Sequence, residues 1–185
     1  IGLVNSDITF AIPMGQRHAL WISARSSYLN ELYGRFMKSD DYRIRYHFMD
    51  FNLSYAGQLT DADRLVITGF YSRDLMRVYT DNGKTNIRIP WQNIVGSAYW
   101  EHALEQGQWR TTDYCSSFDN QLRAAADSAR VKTNEQLMII GLKNRLTYRF
   151  NDAFLLSAGL DYGHYISRPL AYSLTGISMF ATENR

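Results

Sequence analysis

The sequence predicts an all-β fold, an antiparallel transmembrane β-barrel segment of about eight strands with short turns at one end and long loops at the other. Two observations carry that prediction. Tight polar breaks recur about every 45 residues, at Pro13-Met14-Gly15-Gln16, Thr60-Asp61-Ala62-Asp63, Glu105-Gln106-Gly107-Gln108 and Asn151-Asp152; longer polar and aromatic breaks lie between them, at roughly 28–46, 76–90 and 117–134, with a fourth starting near Arg168. The segments between breaks alternate apolar and polar side chains, which is the period of a strand. Short periplasmic turns opposite long extracellular loops is the layout of a barrel in a bacterial outer membrane.

The composition agrees. Apolar residues make up 45% of the 185, yet mean hydropathy is −0.34. No run approaches the roughly 18 apolar residues of a membrane helix. A barrel strand escapes that requirement, because only every second side chain meets lipid. The formal net charge of +2 is scattered along the chain and implies no nucleic-acid partner. Cys115 is the single cysteine, so no internal disulfide forms, and it reads as a small half-buried strand residue.

Taken in order, segment 19–27 sets Leu20, Ile22 and Ala24 on one face, and 48–58 sets Met49, Phe51, Leu53 and Tyr55 against Asp50, Asn52 and Ser54. After the second turn Leu65, Ile67, Gly69 and Tyr71 share a face. Segment 92–103 offers Ile94, Gly96, Ala98 and Trp100; 137–149 offers Ile140, Leu142, Leu146 and Tyr148; 153–165 offers Phe154, Leu156, Ala158, Leu160 and Tyr162. Segments 2–12 and 109–118 alternate less well and are strands by their place in the repeat.

Length and charge then separate a membrane barrel from a soluble sheet. A strand of about 11 residues is roughly 36 Å long, and a tilt of about 45° lets it span an apolar band roughly 25 Å tall. Soluble strands usually stop at about five or six residues. The polar phase carries Arg25, Asp50, Lys143, Arg145 and Asp161 at mid-strand, which a dry core would reject and a wet or plugged lumen accepts. These five are the expected lumen-facing residues. Tyr71, Trp100, Tyr148, Phe154 and Tyr162 close the apolar phase, as interfacial girdles do.

A family resemblance follows from the first two hairpins. Gly2-Leu3-Val4-Asn5-Ser6-Asp7-Ile8-Thr9-Phe10, then Ile12-Pro13-Met14-Gly15, then Leu20-Trp21-Ile22-Ser23-Ala24-Arg25-Ser26-Ser27-Tyr28-Leu29 resemble the early barrel of TonB-dependent outer-membrane receptors, especially the SusC-like receptors of the Bacteroidetes. Tyr46-His47-Phe48-Met49-Asp50-Phe51-Asn52, Leu59 to Leu65 and Gly69-Phe70-Tyr71-Ser72-Arg73-Asp74 are similar to that family's next hairpin. Ala11 stands where the family often has Gly or Glu, and Ser26 replaces an Arg. The motif-bearing match covers about 2–74; beyond it the match is one of layout.

The resemblance implies a 22-stranded barrel with an N-terminal plug, so residues 1–185 are expected to be a portion of the barrel domain with the plug absent. It implies outer-membrane lipid, TonB (through an absent N-terminal region), an imported ligand and a possible surface lipoprotein as partners. It also implies transport of a bulky nutrient, a glycan or oligopeptide before a siderophore.

No catalytic constellation appears. His18, His47, His102 and His164 lack partners at metal-ligand spacing, no Ser-His-Asp set or Gly-x-Ser-x-Gly turn is present, and no phosphate loop opens a helix. The reading is of a non-enzyme with no cofactor and no metal. Ligand contact is expected from loop aromatics and polar groups: Tyr28, Tyr33, Tyr42, Arg43, Tyr79, Asn82 and Trp91. Such groups suit a sugar by stacking with hydrogen bonds, an iron chelate, or plain loop packing, with packing the first expectation and a glycan the second. Two rivals stay open: a self-contained eight-stranded barrel with a structural, adhesive or lipid-modifying role, and a soluble β domain with Leu156 and Leu160 in its core.

Overall fold

The computed structural model describes residues 2–39, 41–80, 84–126 and 129–175. They form β1 (Asn5–Pro13), β2 (His18–Ser27), β3 (Arg43–Gln58), β4 (Asp63–Tyr79), β5 (Thr85–Leu104), β6 (Gly107–Ala126), β7 (Ala129–Asn151) and β8 (Phe154–Thr175), with one short helix, α1 (Leu29–Tyr33), between β2 and β3. Every strand pairs antiparallel with its neighbours in sequence, in a single sheet ordered β1 to β8. The fold is all-β. The sheet is open, with no pairing between β1 and β8 among the described residues.

The short breaks are the turns. Met14 N–H donates to the His18 carbonyl at 2.9 Å and Leu59 N–H to that of Asp63 at 2.8 Å. The Thr60 hydroxyl accepts from Asp63 N–H at 3.0 Å, and Asn151 Oδ1 accepts from Ala153 N–H at 2.9 Å. At Gly15 φ is +77°, and a Cβ there would meet nothing within 4 Å. Gly15→Ala should therefore cost about 1–2 kcal/mol through backbone conformation alone, read from denaturant unfolding.

The long breaks are shorter than expected. β4 continues to Tyr79 and β5 resumes at Thr85; β6 continues to Ala126, β7 resumes at Ala129, and β8 runs past Arg168 to Thr175. Strands β3 to β8 are 16 to 23 residues long against the expected 10 to 14 or so. The polar runs read as loops are still laddered, because a strand with water on both faces tolerates Asn, Gln and Arg. Among the described residues only the stretch between β2 and β3 holds a helix.

The register puts the predicted apolar residues on one face. Leu20 pairs with Tyr55, Tyr55 with Ile67, Ile67 with Ala98, Ala98 with Asp113, Asp113 with Leu142 and Leu142 with Tyr162. The interruption is β6, where Thr111, Asp113 and Cys115 occupy that face. Cys115 is exposed there, not half-buried.

The burial pattern inverts that of a soluble domain. Among the described residues no apolar side chain is buried, while Ser27, Asp50 and Ser72 are. Leu156 is 40% exposed and Leu160 66%, so neither lies in a core formed by the described residues. The face that carries Leu20, Ile67 and Tyr162 is apolar along the sheet except at β6.

The ladder also climbs. The row from Ile12 and Leu20 to Leu142 and Tyr162 lies about four residues from the centre of the first hairpin, and about six, eight and ten from the centres of the next three. That is a stagger of roughly one residue per strand. With 3.3 Å per residue and strands about 4.8 Å apart, short turns at one level require a strand tilt of roughly 35°. An untilted sheet would show no stagger.

Candidate ligand site on the polar face

The polar face is organised by ion pairs and aromatic rings. Arg25 and Asp50 are directly opposite across β2 and β3, with Arg25 Nε and Nη2 donating to one Asp50 oxygen at 2.8 and 2.6 Å. The Asp50 side chain is only 8% exposed, so Arg25 is its compensation. Beside them Asn93 Nδ2 donates to the Ser72 hydroxyl at 3.0 Å. Farther along, Lys143 pairs with Asp161 at 3.2 Å and lies over the Tyr114 ring. Arg110 pairs with Glu101 and stands opposite Arg145. All five residues expected to point into a lumen lie on this face.

Toward the long-hairpin end the same face becomes aromatic. Tyr46 stacks on Trp91, with centroids 6.1 Å apart and planes at 26°, and packs against Phe48. The Tyr46 hydroxyl donates to Asp74 Oδ1 at 2.6 Å. Register makes this cluster: Phe48 pairs with Asp74 and Asp74 with Trp91, while Tyr46 sits one face-step above. The helix end is tied to it, since Asn30 Oδ1 accepts from Tyr46 N–H at 2.9 Å and Ser27 Oγ from Phe48 N–H at 2.9 Å. Two flat rings beside a carboxylate can stack on a sugar or peptide group and accept its hydrogens.

The expected ligand residues do not form one site. Trp91 is in the cluster, on a strand and not at a loop end. Tyr28 is a tether, its hydroxyl donating to the backbone carbonyls of Gly2 and Asn5. Tyr33 packs against Phe36 beside α1, and Tyr42 is exposed. Arg43 and Tyr79 are paired with each other on the opposite face, where Arg45 lies over the Tyr79 ring. Asn82 lies outside the described residues. Tyr46 and Asp74 lie 28 residues apart, and only the strand register brings them together.

At the short-turn end Asp63 gathers a second aromatic group on the apolar face. It accepts from the Thr60 hydroxyl at 2.5 Å, from Trp100 Nε1 at 3.1 Å, and lies 2.7 Å from His102 Nδ1. The Thr60 bond, then the His102 bond, hold its carboxyl below the usual carboxylate range. Trp100 meets Trp109 edge-on, and Phe150 contacts both Tyr148 and Phe154.

No protein-family model, no curated protein and no solved structure matches the chain.

Proposed function

We propose that the chain is part of the barrel wall of a TonB-dependent outer-membrane transporter that imports a bulky nutrient, a glycan or an oligopeptide before a siderophore. The observation that carries the membrane part is the inverted burial, with polar side chains compensated on one face and an apolar surface, broken only at β6, on the other. The roughly 35° stagger suits closure of such a wall. The transport part rests on the resemblance of the first two hairpins to that family. In this reading the wall does no bond chemistry. The Tyr46–Trp91–Asp74 cluster takes the ligand at the mouth of the lumen, and the free edges of β1 and β8 are satisfied by barrel closure.

The full-length protein, purified from outer membranes in detergent, tests this. Its intact mass should be near 100 kDa, roughly that of a plugged receptor; a mass near 21 kDa would leave a small self-contained barrel and end the importer reading. Oligosaccharide and oligopeptide titrations should find a ligand whose affinity falls roughly fivefold in Trp91→Ala, the worth of about 1 kcal/mol of ring stacking. Uptake in cells should stop when the inner membrane is de-energised. Uptake indifferent to that treatment would contradict the proposal.

A further inference from the structure

Beyond the apolar band, the outward face changes character. Arg45 pairs with Arg77, Arg77 with Arg88, Arg88 with Arg123 and Arg123 with Lys132, so five cations stand side by side across β3 to β7. Like charges directly opposite destabilise a sheet. No carboxylate pairs directly with them: none of the five takes part in an ion pair among the described residues. Arg123 donates to the Gln121 amide oxygen, Arg45 rests on the Tyr79 ring, and Arg88 Nε is buried with no hydrogen-bond partner. The row is not flat. An open cleft of about 390 Å³ is lined by Arg88, Arg123, Arg130 and Lys132, and a smaller one of about 170 Å³ shares Arg88 and Arg123 and adds Arg73 and one carboxylate, Asp119. Four arginines and a lysine line the two clefts against a single carboxylate, and this net positive charge forms a receptor for an anion with several charged oxygens.

Their position says where that anion comes from. Arg77 is six residues past Tyr71, Arg88 six from Ile94 and Lys132 six from Met138, all on the face of the apolar band. At 3.3 Å per residue and roughly 35° of tilt, the row stands about 16 Å beyond the band. A simple phospholipid keeps its phosphate within the headgroup zone, about 5–8 Å deep. We infer that the row binds the phosphate groups on the sugar headgroup of an outer-leaflet glycolipid, whose acyl chains lie on the apolar band below. This rests on the membrane part of the reading above and not on transport. The bound lipid supplies the charge that the row lacks.

The test uses the full-length protein in phosphatidylcholine vesicles and in detergent, as wild type and as the triple variant Arg77→Gln, Arg88→Gln, Arg123→Gln. The titrants are a glycolipid bearing two sugar phosphates, the same lipid dephosphorylated, phosphatidylglycerol and inorganic pyrophosphate. The wild type should bind the phosphorylated glycolipid in preference to all three others, in a salt-dependent manner. The triple variant should bind it roughly a hundredfold more weakly, since each basic residue near a membrane surface contributes several-fold. In lipid-free detergent the variant should melt at the same or a higher temperature, because repulsion has been removed; that separates lost binding from lost folding. Equal binding by variant and wild type, or pyrophosphate binding as tightly as the glycolipid, would overturn the inference while leaving a protein that inserts into vesicles. A protein that does not enter vesicles would overturn the membrane reading and this inference with it.

Discussion

Ile67→Arg should destabilise the protein in lipid by about 2–4 kcal/mol, the cost of an arginine on the lipid face of a barrel near mid-bilayer. Ile67 is 43% exposed on the apolar face, between Tyr55 and Ala98 on the neighbouring strands. The adjacent Thr68 points the other way, toward the Ser97 hydroxyl 2.7 Å away. Thr68→Arg should cost no more than about 1 kcal/mol, the worth of that hydrogen bond. Unfolding by denaturant from vesicles measures both. A depth series supports the same point: arginine at Leu156, Leu160 and Tyr162 in turn should give unequal costs, falling toward either interface. Equal costs at all positions would mean that no bilayer gradient lies along β8.

The second large effect is Arg25→Ala, expected to cost about 2–3 kcal/mol. It strands the Asp50 carboxylate, 8% exposed, without its two charge-assisted hydrogen bonds. The figure is below the range for a fully buried pair because the Arg25 side chain is itself 50% exposed and water can partly replace it. Asp50→Ala should cost less, since it frees a guanidinium that water can solvate. The double variant should recover much of the Arg25→Ala loss, a coupling that a double-mutant cycle reads directly. Purely additive costs would show that the pair is incidental.

The apolar face was legible in the sequence because a period of two survives through Met49–Tyr55, Leu65–Tyr71, Ile94–Trp100 and Phe154–Tyr162 without knowledge of pairing. The turns were legible as clusters of Gly, Asp, Asn and Pro. Strand length was not, for a physical reason. Past the band the alternation continues with its meaning inverted: Arg77 lies on the face of the apolar band and Val78 on the polar face, and the same holds for Arg88 beside Ile87 and Arg123 beside Ala124. Stretches of that kind resemble polar loops until the register is known.

The candidate site follows the same division. Arg25 with Asp50 and Lys143 with Asp161 fell on the polar face as the phase of their strands required. The loop aromatics did not assemble, because one residue of shift moves a side chain to the other face. Trp91 faces Asp74, whereas Tyr79 lies on the opposite face among cations. The basic row could have been found by folding the chain about its short turns. Arg45 and Arg77 are equidistant from the second hairpin's centre, and Arg88 and Arg123 from that of the third.

The central claim is that the apolar face meets lipid and the polar face meets water. Single spin labels along β4, from Leu65 to Tyr71 in the full-length protein reconstituted into vesicles, test it most directly. Labels at Leu65, Ile67 and Tyr71 should be relaxed by oxygen dissolved in the bilayer and shielded from a water-soluble metal chelate. Labels at Val66, Thr68 and Phe70 should show less oxygen contact, giving a strict period of two. Chelate accessibility that is equal at all positions, or high at Ile67, would place both faces in water and contradict a membrane wall.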